Sequence, residues 1–127
     1  METGAERILI IDDDNRNIFA LSAVLRSRGY ETVPATSAKE GLSILQQNEG
    51  IKVVLMDIMM PDMDGYEAIR RIREEIGFRS LPVIAVTAQA MPGDREKCLE
   101  AGANNYISKP IDVDRLMEML ETSKEGK

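Results

Sequence analysis

The sequence predicts an α/β domain built as a doubly wound parallel (βα)5 sheet, and three observations carry that expectation. Short apolar runs alternate five times with longer segments whose apolar residues recur at helical spacing. The run Ile8-Leu9-Ile10-Ile11 is apolar on both faces, as in a strand covered by helices on both sides. Helix start and stop signals punctuate the pattern, with Ser37 and Asp112 opening helices and Gly29 and Gly102 closing them.

Arg7 to Asp12 is the first strand. A helix follows from Asn15 to Arg28, with Ile18, Leu21 and Leu25 on one face and Gly29 at its end. Tyr30 to Ala35 is a weaker strand, and Pro34 suits it to an edge. Ser37 to Glu40 forms a capping box for a helix through Gln47, and Ile51 to Asp57 is the third strand. Asp64-Gly-Tyr-Glu67 begins a helix whose buried face holds Ile69, Ile72 and Ile76. Leu81 to Thr87 is the fourth strand, and Pro92 suits the first turn of a helix that stops at Gly102. Asn105 to Ser108 is the fifth strand, and Asp112 caps a last helix with Val113, Leu116, Met117 and Leu120 inward. Ser123 to Lys127 reads as a tail. The 127 residues therefore predict one domain over 1–127, with a core at about 7–121 and short polar ends.

Composition excludes several classes. A hydrophobic share of 43% supports a core rather than disorder. Net charge is −6, from 22 acidic and 16 basic residues, which argues against non-specific nucleic-acid binding. Cys98 is the single cysteine, so no internal disulfide forms, in keeping with a reducing, cytoplasmic setting. Apolar runs of about four to five residues fall short of the ~20 that span a bilayer, and METGAER has no apolar signal-peptide core. With no histidine, the chain has no His-based triad, no His metal site and no phosphohistidine of its own.

The chemistry gathers at the strand ends, where open α/β sheets bind ligands. Those ends carry Asp12-Asp13-Asp14, Asp57, Thr87 and Lys109. In the common small order 2-1-3-4-5, strands one and three are neighbours roughly 4.8 Å apart, so Asp12 or Asp13 faces Asp57. Each ionised pair at about 5 Å then costs about 3 kcal/mol at an effective dielectric near 20. Either some carboxyl pKa values rise or a cation sits among them. Oxygen ligands without His or Cys select Mg2+, which in such a setting assists phosphoryl transfer. A short Thr87 hydroxyl on the next strand and the long Lys109 stem one strand further would bracket a phosphoryl group. Asp57, alone at the end of the central strand, is the best nucleophile. Asp14 reads as a helix cap or a solvated residue.

The stretches IIDDD, LMDIMMPDMDGYE, VIAVTA and YISKP, in that order, resemble the receiver domains of two-component response regulators. The resemblance implies a flavodoxin-like sheet of order 2-1-3-4-5 and a signalling domain that catalyses its own phosphorylation and dephosphorylation at Asp57. It implies direct Mg2+ ligation by Asp13, Asp57 and the carbonyl of Met59, with Asp12 acting through water. Thr87 and Lys109 match the phosphate-sensing pair, Tyr106 the aromatic switch, and Lys109-Pro110 a bond often cis in this family. The segment MPGDREKCLEAGANNYISKPID resembles receivers attached to hybrid sensor histidine kinases. Met59 and Gln89 match positions that in this family tune attack of water on the acyl phosphate, and the resemblance implies that an apolar Met59 cannot position that water.

The phosphoryl donor is then a partner's phosphohistidine, on a histidine kinase or histidine phosphotransfer protein, or a small acyl phosphate. Docking is expected around the first helix beside the acidic pocket, through Asn15, Phe19 and Ser22, with Pro110 nearby. The Arg70–Glu75 run reads as i,i+4 pairs, Arg70 with Glu74 and Arg71 with Glu75, rather than a nucleic-acid patch. Met59, Met60 and Met63 read as packing for the loop after the third strand. Three rivals are weaker. Asp62-Met-Asp-Gly65 resembles the DxDG motif of haloacid dehalogenase phosphatases, but Pro61 separates it from the strand. A calcium loop counted from Met60 has Arg71 where a bidentate Glu is required. A non-catalytic pseudo-receiver is disfavoured by the intact acidic pair, Asp57 and Lys109.

Overall fold

The computed structural model describes residues 6–47, 50–74, 80–88 and 92–125. Its strands are β1 (Arg7–Ile11), β2 (Glu31–Ala35), β3 (Ile51–Asp57), β4 (Val83–Thr87) and β5 (Asn105–Ser108). Between and after them run α1 (Asn15–Ser27), α2 (Ala38–Gln47), α3 (Gly65–Glu74), α4 (Asp94–Ala101) and α5 (Val113–Glu125). The sheet order is β2-β1-β3-β4-β5 and every neighbouring pair is parallel. The expected doubly wound α/β class and order are those observed, with β2 and its exposed Pro34 at an edge.

Alternation along the central strands divides the core in two. Leu9, Ile11, Val54, Met56, Val83 and Ala85 face α2, α3 and α4. Ile8, Ile10, Val53, Leu55, Ile84 and Val86 face α1 and α5, where they meet Ile18, Leu21, Leu25 and Leu116. Burying both faces removes the apolar surface that ILII would otherwise expose.

The ends follow from capping chemistry. Past α1, the Gly29 N–H donates to the Arg26 carbonyl and the Tyr30 N–H to the Leu25 carbonyl, with Gly29 at φ 95°. This closure holds Tyr30 out of β2. At α2 the Ser37 hydroxyl accepts the Glu40 N–H, but the Glu40 carboxylate reaches back to the Thr36 N–H, so the box is one residue wider than expected. Pro82 cannot donate to the ladder, and β4 begins at Val83 rather than Leu81. Pro92 lies outside α4, because Gly93 at φ 90° is the cap and the helix starts at Asp94. The helix α5 runs through Ser123 to Glu125, where a tail was expected, and buries Met119 beside Leu116 and Leu120 while Val113 and Met117 stay half-buried. Arg71 bonds back to Glu67, its Nη2 3.1 Å from Oε2. Glu75 and Ile76, expected on α3, lie outside the described residues, as does Gln89.

Candidate functional site

The register of the sheet brings the strand-end residues together. Ile11 pairs with Met56 and Asp57 with Val86, so Asp12 falls beside Asp57 one step beyond the β1–β3 ladder. Thr87 pairs with Ser108, placing Lys109 one residue further along β5. The ladder continues past the strands, with the Asp12 N–H on the Ala35 carbonyl and the Lys109 N–H on the Thr87 carbonyl. Alternation from Ile10, Leu55 and Ile107 puts Asp12, Asp57 and Lys109 on the α1–α5 face. Alternation from Ala85 puts Thr87 on the opposite face, the one against which Tyr106 packs half-buried.

Asp12, Asp57 and Thr87 are buried polar residues in an otherwise apolar interior, whereas Asp13 is exposed. One carboxylate oxygen from each of Asp12, Asp13 and Asp57 lies within 4.8 Å of the others. The Lys109 ammonium stands 3.4 Å from Asp12 Oδ2 and 3.9 Å from Asp57 Oδ2. The Met59 N–H donates to Asp57 Oδ1 at 3.2 Å. Asp12 Oδ1 accepts the Asp14 N–H, and Asp12 Oδ2 accepts the side-chain amide of Asn17. Burial, then the charge of Asp12, push the Asp57 carboxyl up to about 6, against the pull of Lys109 and the Met59 N–H. A site that raises a carboxyl in this way favours the arrival of positive charge. Its donors are all oxygen, with neither histidine nor thiolate, and one ligand opens to solvent, a set that fits a hard, partly hydrated cation such as Mg2+.

Asp14 caps α1 through the Arg16 N–H, as expected for one of its two readings. On α1, Asn15 is exposed, Ser22 half-buried and Phe19 76% exposed; Pro110 is exposed too, and the Lys109–Pro110 bond is cis. The packing role expected for the three methionines holds for buried Met60 and half-buried Met63 but fails for Met59, which is 67% exposed. Its backbone turns towards Asp57, and that sends its side chain out to water.

The roles of Asn17 and Asp62 leave no signal in the sequence, whereas Asp64 stands where a helix is expected to begin. Asn17 holds Asp12 from the first turn of α1, five residues on, a spacing that only a helix start fixed at Asn15 makes meaningful. Asp62 and Asp64 of the DxDG stretch both serve helix N-termini. Asp62 accepts the Ala38 and Lys39 N–H groups of α2, and Asp64 accepts the Glu67 N–H of α3.

A parallel five-stranded sheet with a buried acidic group and a lysine at its carboxyl edge defines a class, and comparison with known proteins gives the family. The response regulator receiver domain model matches residues 8–121. The chain belongs to that family, the receivers of two-component signalling. It is 35% identical over 115 residues to the polar-differentiation response regulator DivK of Brucella ovis, covering 91% of this chain and 93% of that one. It is 40% identical over 113 residues to the sensor histidine kinase RcsC of Salmonella typhi, covering 89% of this chain and 12% of that protein. The crystal structure of a CheY-like response regulator receiver domain protein from Methanospirillum hungatei superposes with a TM-score of 0.84 at 31% identity, over 98% of this chain and all of that one. Among the described residues no helix is long and apolar enough to cross a membrane.

Proposed function

We propose that this receiver, over a core of about residues 7–121, takes a phosphoryl group from a partner's phosphohistidine onto Asp57 in a cytoplasmic phosphorelay. The observation that carries the reading is the convergence of buried Asp57 with Asp12 and Asp13 on one side and the Lys109 ammonium on the other. A carboxylate oxygen of Asp57 attacks phosphorus, the P–O bond forms as the P–N bond breaks, and the partner histidine leaves with the electron pair. Lys109 holds a phosphoryl oxygen, and the Thr87 hydroxyl donates to another. Asp13, Asp57 and the Met59 carbonyl would hold Mg2+, with Asp12 acting through water, and the ion would offset charge on the transferring oxygens. Once phosphorylated, the domain shifts its population towards a state in which Thr87 is drawn to the phosphoryl group and Tyr106, on the same face, turns inward. The phosphoryl group is later lost by hydrolysis: water attacks phosphorus, the bond to Asp57 breaks, the carboxylate is regenerated and inorganic phosphate leaves, and the apolar Met59 does nothing to position that water.

A histidine kinase or histidine phosphotransfer protein supplies the donor, because the chain has no histidine. It docks on α1 through Asn15 and Phe19, with Pro110 at the rim; exposed Phe19 supports this surface. The domain uses neither nucleic acid nor membrane as a partner. The test is an intact mass after incubation with acetyl phosphate. The reading requires a gain of one phosphoryl group with Mg2+, and no gain without Mg2+ or in Asp57→Asn. An unchanged wild-type mass under all conditions overturns it.

A further inference from the structure

We propose that Asp62 is a positioning residue for the acidic pocket, tying the loop after β3 to the N-terminus of α2. This rests on the reading that Asp57 and the Met59 carbonyl hold the cation. Asp62 belongs to the DxDG-like stretch, yet its side chain ties its loop to a helix start more than twenty residues earlier in the chain. Its Oδ1 accepts the Ala38 N–H at 3.2 Å and its Oδ2 the Lys39 N–H at 3.1 Å, from residues 24 and 23 positions earlier. Both carboxylate oxygens are engaged, and the negative charge sits at the positive end of a helix.

The loop from Ile58 to Asp64 carries the Met59 carbonyl. It is closed at its base by the Gly65 N–H on the Ile58 carbonyl at 2.9 Å. The Met59 N–H holds its near end to Asp57. Met60 and Met63 seat it on apolar neighbours, but such contacts are non-directional and leave the rotation of the 59–60 peptide soft. Asp62 adds a directional tie on the far side. A divalent oxygen site of near-ideal octahedral demand is sensitive to that rotation.

The bland alternative is that Asp62 serves α2 alone. The helix offers its own control, because the Ser37 hydroxyl accepts the next N–H, that of Glu40, without touching the loop. Losing either cap frays the same helix end and lowers Tm by a few degrees. Only loss of Asp62 frees the loop.

The experiment is calorimetric titration of the full chain with MgCl2, beside thermal melts in metal-free buffer, for wild type, Asp62→Ala, Asp62→Asn and Ser37→Ala. Asp62→Ala should weaken the Mg2+ Kd about three- to tenfold, less than the roughly 10–100-fold of residues that touch a metal ligand directly, because Asp62 acts through the loop. Asp62→Asn keeps one acceptor oxygen and should fall between, and it serves if the alanine variant fails to fold. Ser37→Ala should lower Tm with the Kd unchanged. An unchanged Kd in the Asp62 variants, or an equal weakening in Ser37→Ala, overturns the proposal. Failure of wild type to bind Mg2+ at all would instead overturn the function on which it rests.

Discussion

At the scale of single residues, the site is a contest between burial and charge centred on Asp57. Its carboxyl moves from 3.8 in the unfolded chain to about 6 in the fold, chiefly through burial and then through Asp12. Between those values the folded state binds the extra proton, so this group's contribution to stability falls as pH rises through that window and is flat above it. Asp57→Asn removes the titration. The metal-free variant should match wild type near pH ~4 and melt roughly 5–10 °C higher near pH ~7. A gap that stays constant between those pH values would show that Asp57 carries no such strain. The proposed binding of Mg2+ to the folded carboxylates, and not to the unfolded chain, requires that Mg2+ at neutral pH raise the wild-type Tm and narrow the same gap. Asp12 and Asp57 were legible because each follows an apolar run directly, and Lys109 because it follows the short fifth strand; strand pairing does the rest. Asn17 was not, because its role depends on where a helix turn points.

Elements position these residues, and the turn between β3 and α3 does so with the least slack. A Cβ on Gly65 would meet Ile58 Cα at 2.7 Å and the Asp57 carbonyl oxygen at 2.9 Å, both backbone atoms that cannot rotate away. Gly65→Ala should therefore cost about 2–3 kcal/mol in urea unfolding, as overpacking does, despite the better helix propensity of alanine. A second joint lies at the other end of α3. Arg73 donates Nη2 to the Gly102 carbonyl at 2.7 Å and to Asn104 Oδ1 at 2.7 Å, and Nη1 to the Leu81 carbonyl. Burial lowers its guanidinium pKa, so its place in the fold depends on those acceptors. Arg73→Lys keeps the charge but cannot span the fork, and should lose about 2–3 kcal/mol by the same measurement. A loss under ~0.5 kcal/mol would mean that the fork is dispensable. Such joints leave no local trace. The helical period placed α3, but Arg73 looked like one more charge on a solvated face, because its acceptor on Gly102 lies 29 residues away. The same blindness hid Asp62, and it shifted the starts of β4 and α4, where Pro82 and Gly93 decide a boundary by one or two residues.

For the whole molecule, the two-layer core fixes which surfaces are free to signal. The face with Ile18, Leu21 and Leu25 is spent on the sheet, which leaves Phe19 in water on the helix whose Asn17 reaches Asp12. Phe19→Ala should slow transfer from the cognate phosphohistidine protein about tenfold or more, as truncation of an aromatic anchor does. Phosphorylation by acetyl phosphate, which needs no docking, should be unchanged. Equal effects on both donors would place Phe19 in the fold rather than in the interface. The overall architecture was the most legible level of all, since five strands covered on both faces admit few right-handed arrangements. What the ends of β1, β3, β4 and β5 hold together is tested most directly by trapping. After incubation with Mg2+ and acetyl phosphate, borohydride reduction converts an aspartyl phosphate to homoserine, which peptide mass spectrometry locates. Homoserine is expected at position 57 and nowhere else. Reduction at another aspartate, or none in protein that has gained a phosphoryl group, would contradict it.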